Sequence, residues 1–187
     1  MALTLISTPL NITTSDTAVC DVTIISGIDN TYPVYEFHFV SINPETAGAS
    51  FDFQVETGTA SDYDHPMITT FFQAYVNEDG SGPTLAYSSG NDQATAGDGN
   101  GVFSKLAKEM GEGSDEAASG ILTLYDPSST TYVKHFMSSS NQYQSNDATM
   151  SAYTAGYVDI TAAITRVKFK MSSGDIEAGT IKMFGVS

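Results

Sequence analysis

The end of the chain constrains its fold most tightly. Residues 164–186 read ITRVKFKM, then SSGDIEAG, then TIKMFGV, two runs of strict alternation around a glycine-bearing connection. Period-two alternation marks a strand with two unlike faces, and two such runs joined by a short Gly-containing loop predict a β-hairpin. Val167, Phe169 and Met171 fall on one face, Arg166, Lys168 and Lys170 on the other. In the second run Ile181 and Met183 continue the apolar face, and Lys182 lies opposite. A strand with one apolar face needs a second layer to cover it, so this ending predicts a sandwich.

The rest of the chain repeats the pattern. Residues 2–10 predict an N-terminal strand or arm stopped near Pro9, and 17–26 (TAVCDVTIIS) alternate up to Gly27. Tyr35, Phe37 and Phe39 alternate with Glu36 and His38; after NPETAG, Phe51, Phe53 and Val55 alternate with Asp52, Gln54 and Glu56. These two runs predict a hairpin. Strands are expected at 67–76, 84–89, 121–125, 131–139 and 150–160, with Pro127 in the turn of a further hairpin. GVFSKLAKEM is the one helical candidate, because Val102, Phe103, Leu106 and Met110 approach an i, i+4, i+8 stripe. The reading is all-β: a single domain over 1–187, an antiparallel two-sheet β-sandwich, jelly-roll-like, with one short helix near 102–110.

The chain carries 22 acids against 7 bases, a formal charge of −15. Residues 1–104 hold 13 of the acids and no Lys or Arg, whereas 105–187 hold the other 9 and every base. Such a surface repels nucleic acid and anionic lipid, so neither is an expected partner. No apolar run approaches the ~18 residues of a membrane span. MALTLISTPL lacks the basic start and long apolar stretch of a secretory signal, so Met1 is expected to begin the mature chain. The lone Cys20 has no internal partner for a disulfide and reads as a buried inert thiol.

Residues that carry chemistry are sparse. There is no G-x-S-x-G elbow, and one Cys with scattered His does not make a thiol enzyme. Among the histidines, His65 has Asp62 and Asp64 close by in SDYDHP and is the best placed to help hold a cation, but the acids read as loop residues. NEDGSG and GDGNG resemble fragments of calcium loops without the full ligand pattern, and read as turns. No catalytic residue, metal site or cofactor is expected. Two interaction features remain. The ridge Arg166, Lys168, Lys170 and Lys182 holds four of the seven cations and suits docking on an acidic neighbour, either another copy or another acidic protein. Tyr143, Tyr153 and Tyr157, with Tyr63, are placed to stack on sugars, although Tyr is also ordinary sandwich material.

Four stretches give the chain a family likeness: ALTLIST near the start, SGIDNTYPVYEFHFVSINP at 26–44, LYDPSSTTYVKHF at 124–136, and the ending FKMSSGDIEAGTIKMFGVS. Together they resemble small virion-associated proteins of marine tailed bacteriophages. The ending is similar to a terminus of the type S-G-x-I-x-x-G-T-I-K-[LM]-[YF]-G, shared by capsid-decorating and tail or fibre proteins. The resemblance implies a non-enzymatic, β-sandwich component of a virion exterior that forms homo-oligomers and contacts other virion proteins. An alternative role within the same setting is recognition of a host surface glycan.

Overall fold

The computed structural model describes residues 2–6, 9–12, 21–93 and 102–187. These form thirteen strands: β1 (Leu3–Leu5), β2 (Leu10–Ile12), β3 (Asp21–Ile24), β4 (Val34–Pro44), β5 (Phe51–Thr57), β6 (Met67–Asn77), β7 (Thr84–Tyr87), β8 (Ser104–Ala107), β9 (Ala118–Tyr125), β10 (Lys134–Gln144), β11 (Ala148–Val158), β12 (Ile164–Met171) and β13 (Ile176–Val186). One sheet has the order β1-β13-β4-β9-β10-β11-β6-β7, with β2 also on β13; the other is β3-β12-β5-β8. All pairings are antiparallel. Cys20 and the start of the run 17–26 lie outside the described residues, and β3 is its middle.

The topology follows a simple rule. β2 pairs β13, β3 pairs β12, β4 pairs β9 and β5 pairs β8, four nested pairs of one long hairpin. Successive pairs lie alternately in the large and the small sheet. A nested hairpin rolled in this way is a jelly roll. Two hairpins are inserted into it: β6-β7 between β5 and β8, and β10-β11 between β9 and β12. Both join the large sheet beyond β9 and extend it as a wing.

An aromatic layer holds the two sheets together. Phe169 of the small sheet packs against Phe37 of the large one at 5.7 Å between ring centroids, and stacks on Phe51 at 5.7 Å. Phe39 meets Phe51 edge-on at 5.3 Å, and Phe53 meets Phe136 at 4.9 Å. All six rings are buried. Beyond this layer, the inner face of β10 turns polar: Ser138, Ser140, Gln142 and Gln144 are buried. Two of them, with Thr154 of β11, answer the free edge of β8 and the residue just beyond it. Ser140 Oγ donates to Leu106 O (2.7 Å), Gln142 Nε2 to Lys108 O (3.2 Å), and Thr154 Oγ1 of β11 to Lys105 O (2.8 Å). Side chains thus satisfy carbonyls that a missing neighbour strand leaves open.

Three expectations need correction. The helix near 102–110 is absent; its central residues are β8, paired with β5 through Phe51, Asp52 and Phe53. The pairing needs of β5 and the donors from β10 and β11 override a short helical stripe, because tertiary context outweighs local propensity. The terminal runs do not form a hairpin either, since β12 lies in the small sheet and β13 in the large. The same holds for β4 and β5. Their connections, 45–50 and 172–175, cross between layers side by side and are bonded to each other: Glu45 N donates to Asp175 O (3.0 Å) and Ser172 N to Ser50 O (2.9 Å). Alternation reports which faces a strand has, and is silent on its neighbour. The hairpins β6-β7 and β9-β10 do form.

The glycine-rich ending has a structural reason. Gly179 adopts φ +140° at a bulge in β13, where an added Cβ would sit 2.9 Å from Ile42 Cα and 3.0 Å from Ser41 O. Only glycine fits both the dihedral and the space.

Two substitutions test this architecture. Phe169→Ala is expected to lower stability by about 3–5 kcal/mol through the cavity it leaves, read as a drop of roughly 10 °C in Tm. Gly179→Ala is expected to cost about 1–3 kcal/mol from backbone strain. Thermal unfolding that leaves either variant within one degree of the parent would contradict the packing described.

Candidate interaction surface

The predicted basic ridge is divided by the fold. Arg166, Lys168 and Lys170 lie on β12, on the outer side of the small sheet, while Lys182 lies on β13 opposite His38, on the outer side of the large one. Most of the small-sheet group is already engaged. Arg166 Nη1 donates to Ala60 O (3.0 Å); Lys168 Nζ pairs with Asp21 Oδ2 (2.9 Å) and sits 4.5 Å from the Tyr63 ring centroid; Lys170 Nζ sits 4.2 Å from that of Phe103. The two ring contacts are cation–π arrangements. The outer side of β5 is covered as well, since Asp52, Gln54 and Glu56 are all buried.

Glu56 organises that cover. Its Oε2 accepts from Asp62 N (3.0 Å) and Tyr63 N (2.9 Å), and its Oε1 accepts from Thr57 N (2.7 Å) and lies 2.8 Å from His65 Nε2. Burial alone would raise its pKa, but the backbone N–H groups of Tyr63 and Thr57, with His65, outweigh it and hold the carboxyl below its ordinary value. Gln54 Nε2 completes the cover by donating to His65 O (3.0 Å) and Val102 O (2.9 Å). His65 therefore faces Glu56, and Asp62 and Asp64 point into solvent. Among the described residues no group of three His, Cys, Asp or Glu side chains is arranged to hold a metal ion. Asp52 contrasts with Glu56. Desolvation pushes its pKa up to about 7 in spite of Lys105 and Lys170, and its Oδ1 has no hydrogen-bond partner.

The tyrosines fare differently. Tyr63 is buried under Lys168, but Tyr143, Tyr153 and Tyr157 all lie on the outer face of the wing. Tyr153 stands in the middle of β11, whereas Tyr143 and Tyr157 stand next to the last residues of β10 and β11. The cross-strand register brings Tyr87, Phe72, Tyr153 and Ser139 into one row over β7, β6, β11 and β10. Phe72 and Tyr153 are stacked in parallel, 4.8 Å between centroids. Beside them a shallow groove of about 420 Å³ is lined by Ile68, Tyr125, His135, Met137, Ala155 and Tyr157, among others. Leu85 (78% exposed), Tyr87 (61%) and Met137 (56%) stand furthest into solvent.

The wing is also uncharged. β6, β7, β9 and β11 contain no Asp, Glu, Lys or Arg, and the one charged residue of β10, Lys134, is buried with its Nζ donating to Tyr132 O (2.7 Å) and Thr161 O (3.2 Å). Phe72, Leu85, Tyr87, Tyr125 and Met137 are the members of this surface that residue-type reasoning missed. Their signal lay in the sequence as long runs without charge in a chain of net −15.

Compared with family models, with curated proteins and with solved structures, the chain matches none of them. Among the described residues no helix is long and apolar enough to cross a membrane.

The two buried carboxyls predict opposite pH responses in separate windows. Asp52 has a raised folded pKa, so the native state holds its proton more tightly than the unfolded chain; its contribution is fully present below about 4 and is lost as pH rises to about 7. Glu56 has a lowered folded pKa, so its contribution is present above the ordinary value of 4.5 and is lost as pH falls through the folded one. Asp52→Asn is therefore expected to gain stability relative to the parent between pH 5 and pH 8, by on the order of 3 kcal/mol at most, since about two pH units of that window lie below the raised pKa and each is worth about 1.4 kcal/mol. Chemical denaturation at the two pH values measures the gap; a gap that stays constant or narrows with pH contradicts the assignment.

Proposed function

We propose that the protein is a non-enzymatic structural component of the exterior of a tailed-phage virion, decorating the capsid or forming part of the tail or fibres, and assembling through contacts with its own copies and with other virion proteins. The observation that carries this reading is the outer face of the wing: wide, rich in exposed aromatic and apolar side chains, and with no Asp, Glu, Lys or Arg on the outer side of its strands in a molecule of net −15. An exposed patch of this kind marks a place where something is to be covered. The jelly roll supports the same reading, because the architecture serves viral capsid and lectin domains alike. So does the ending that resembles virion proteins, whose Gly179 serves a bulge and whose apolar residues Ile181 and Met183 fill the core.

On this reading the chain's titratable groups work as fasteners. Glu56 ties a loop across the small sheet, Lys134 clamps the carbonyls of Tyr132 and Thr161, and the cations of β12 are engaged within the subunit. The net charge disfavours nucleic acid and membrane as partners. A second reading, recognition of a host surface glycan, is favoured by one observation: Tyr143, Tyr153 and Tyr157 share a face with the polar Ser139, Asn141 and Ser151. Rings beside hydroxyl and amide groups are suited to sugar stacking.

Labelling with an antibody on purified particles of the encoding phage tests the proposal. Label on the outside of head or tail, at a fixed copy number per particle, is the expected result. Absence from particles, or turnover of a polysaccharide by the isolated protein, would overturn it. Saturable binding on a glycan array, lost in Tyr153→Ala with the fold intact, would instead establish the second reading.

A further inference from the structure

We infer that the outer face of β9-β10-β11-β6-β7 is where two copies of this chain meet, face to face about a two-fold axis. Three observations lead there, and a fourth sets the test. The first is area. At ~4.8 Å spacing and ~3.3 Å rise, three strands of eleven residues with the shorter β9 and β7 make a face of about 700 Å², near the ~800 Å² per partner of a standard interface.

Charge is the second. Two molecules of net −15 repel over most of their surfaces, and a strand face free of Asp and Glu is one on which they can approach with like charges confined to the rim. Acids reach the face at its edges, where Asp92 accepts from Tyr87 and Asp147 from Tyr143, and the strand surface between them, without Asp, Glu, Lys or Arg, can match itself, as a two-fold interface requires. The third is relief. The row Tyr87, Phe72 and Tyr153 stands beside the groove over Ala155, so ridge and hollow occur on one face and can interlock after rotation. Leu85 and Tyr87 also bring apolar area to the margin of the sheet, on β7.

The fourth is the rim, and it separates a second copy from another partner. The turns at one end of the wing carry Glu78, Asp79 and Asp147, and the other end carries Asp126 and Asp159, all exposed. Paired copies bring acidic rims near one another, so the association must be driven by apolar contact against residual repulsion. Salt screens that repulsion and strengthens apolar burial, so the dimer tightens as salt is added. A foreign partner with a basic rim would respond in the opposite sense.

This inference deepens the structural-protein reading and is tested without a virion, so its failure would leave the particle-labelling result untouched. Sedimentation velocity of the purified full chain, over a range of concentrations at low and high salt, is the experiment. A monomer–dimer equilibrium that tightens with salt is expected. Tyr153→Glu and, as a milder change at a neighbouring exposed position, Ser139→Glu should each weaken the dimer about tenfold or more, with unchanged circular dichroism. Asp21→Lys, on the outer side of the small sheet, should leave the dimer constant as it is. A monomer at all concentrations, a dimer loosened by salt, or a dimer that survives both wing variants would each overturn the inference.

Discussion

Everything in this molecule depends on keeping a layer of phenylalanine rings out of water between two twisted sheets. Phe169 is at its centre, in contact with Phe37 across the layers and with Phe51 within the small sheet. Burial of such rings is worth roughly 2–3 kcal/mol each before packing terms, and the contact geometry adds to it. The nested strand pairing is the chain's way of bringing residues as distant as Phe37 and Phe169 to the same place. Gly179 and the paired crossings at 45–50 and 172–175 let the two sheets follow one another closely enough for those rings to meet.

Charge is arranged around that layer in a definite order. Cations and buried acids are concentrated on the outer side of the small sheet, where Glu56 and Lys168 hold the loop 57–66, Lys170 lies over Phe103, and buried Asp52 lies near Lys105 and Lys170. Exposed acids stand at turns and strand ends, where Asp79 accepts from Ser81 N and Asp147 from Tyr143. What is left between them is the wing, sealed inside by Ser140, Gln142 and Thr154 against the edge of β8 and left bare outside. The inner face mixes Phe71, Phe136 and Met150 with buried Ser and Gln, and the outer face mixes Phe72, Met137 and Tyr153 with Ser139, Asn141 and Ser151. Exposed rings of that size on the outer face are intelligible if it is covered in the assembled protein.

The sequence made the fold class legible because alternation is a local property. Strand after strand announces its apolar side, and Pro127 marks the turn between β9 and β10. It did not make legible which strands are neighbours: Phe51 and Phe39 alternate in the same way whether β4 and β5 pair in one sheet or face each other across the core, as they do. The supposed helix at 102–110 misleads for a related reason, since Leu106 and Met110 are buried by partners far along the chain, among them Phe53 and Gln144. At the surface, Tyr153 and Tyr157 stood out by residue type, whereas Phe72 was hidden beside Phe71, one ring facing in and the next facing out. The basic ridge was visible in the letters, but its cover, built by residues 57–66 folding back onto Glu56, was not.

The bare face of the wing is, on this view, covered in the protein's working state. Hydroxyl-radical footprinting of the assembled protein against the dilute monomer measures this side chain by side chain. Strong protection is predicted at Met137, Tyr153, Phe72 and Tyr87, with Tyr132, which is exposed outside the wing face, oxidised equally in both. Protection confined to the surface around Arg166 and Lys168, with Met137 and Tyr153 oxidised as in the monomer, would contradict it.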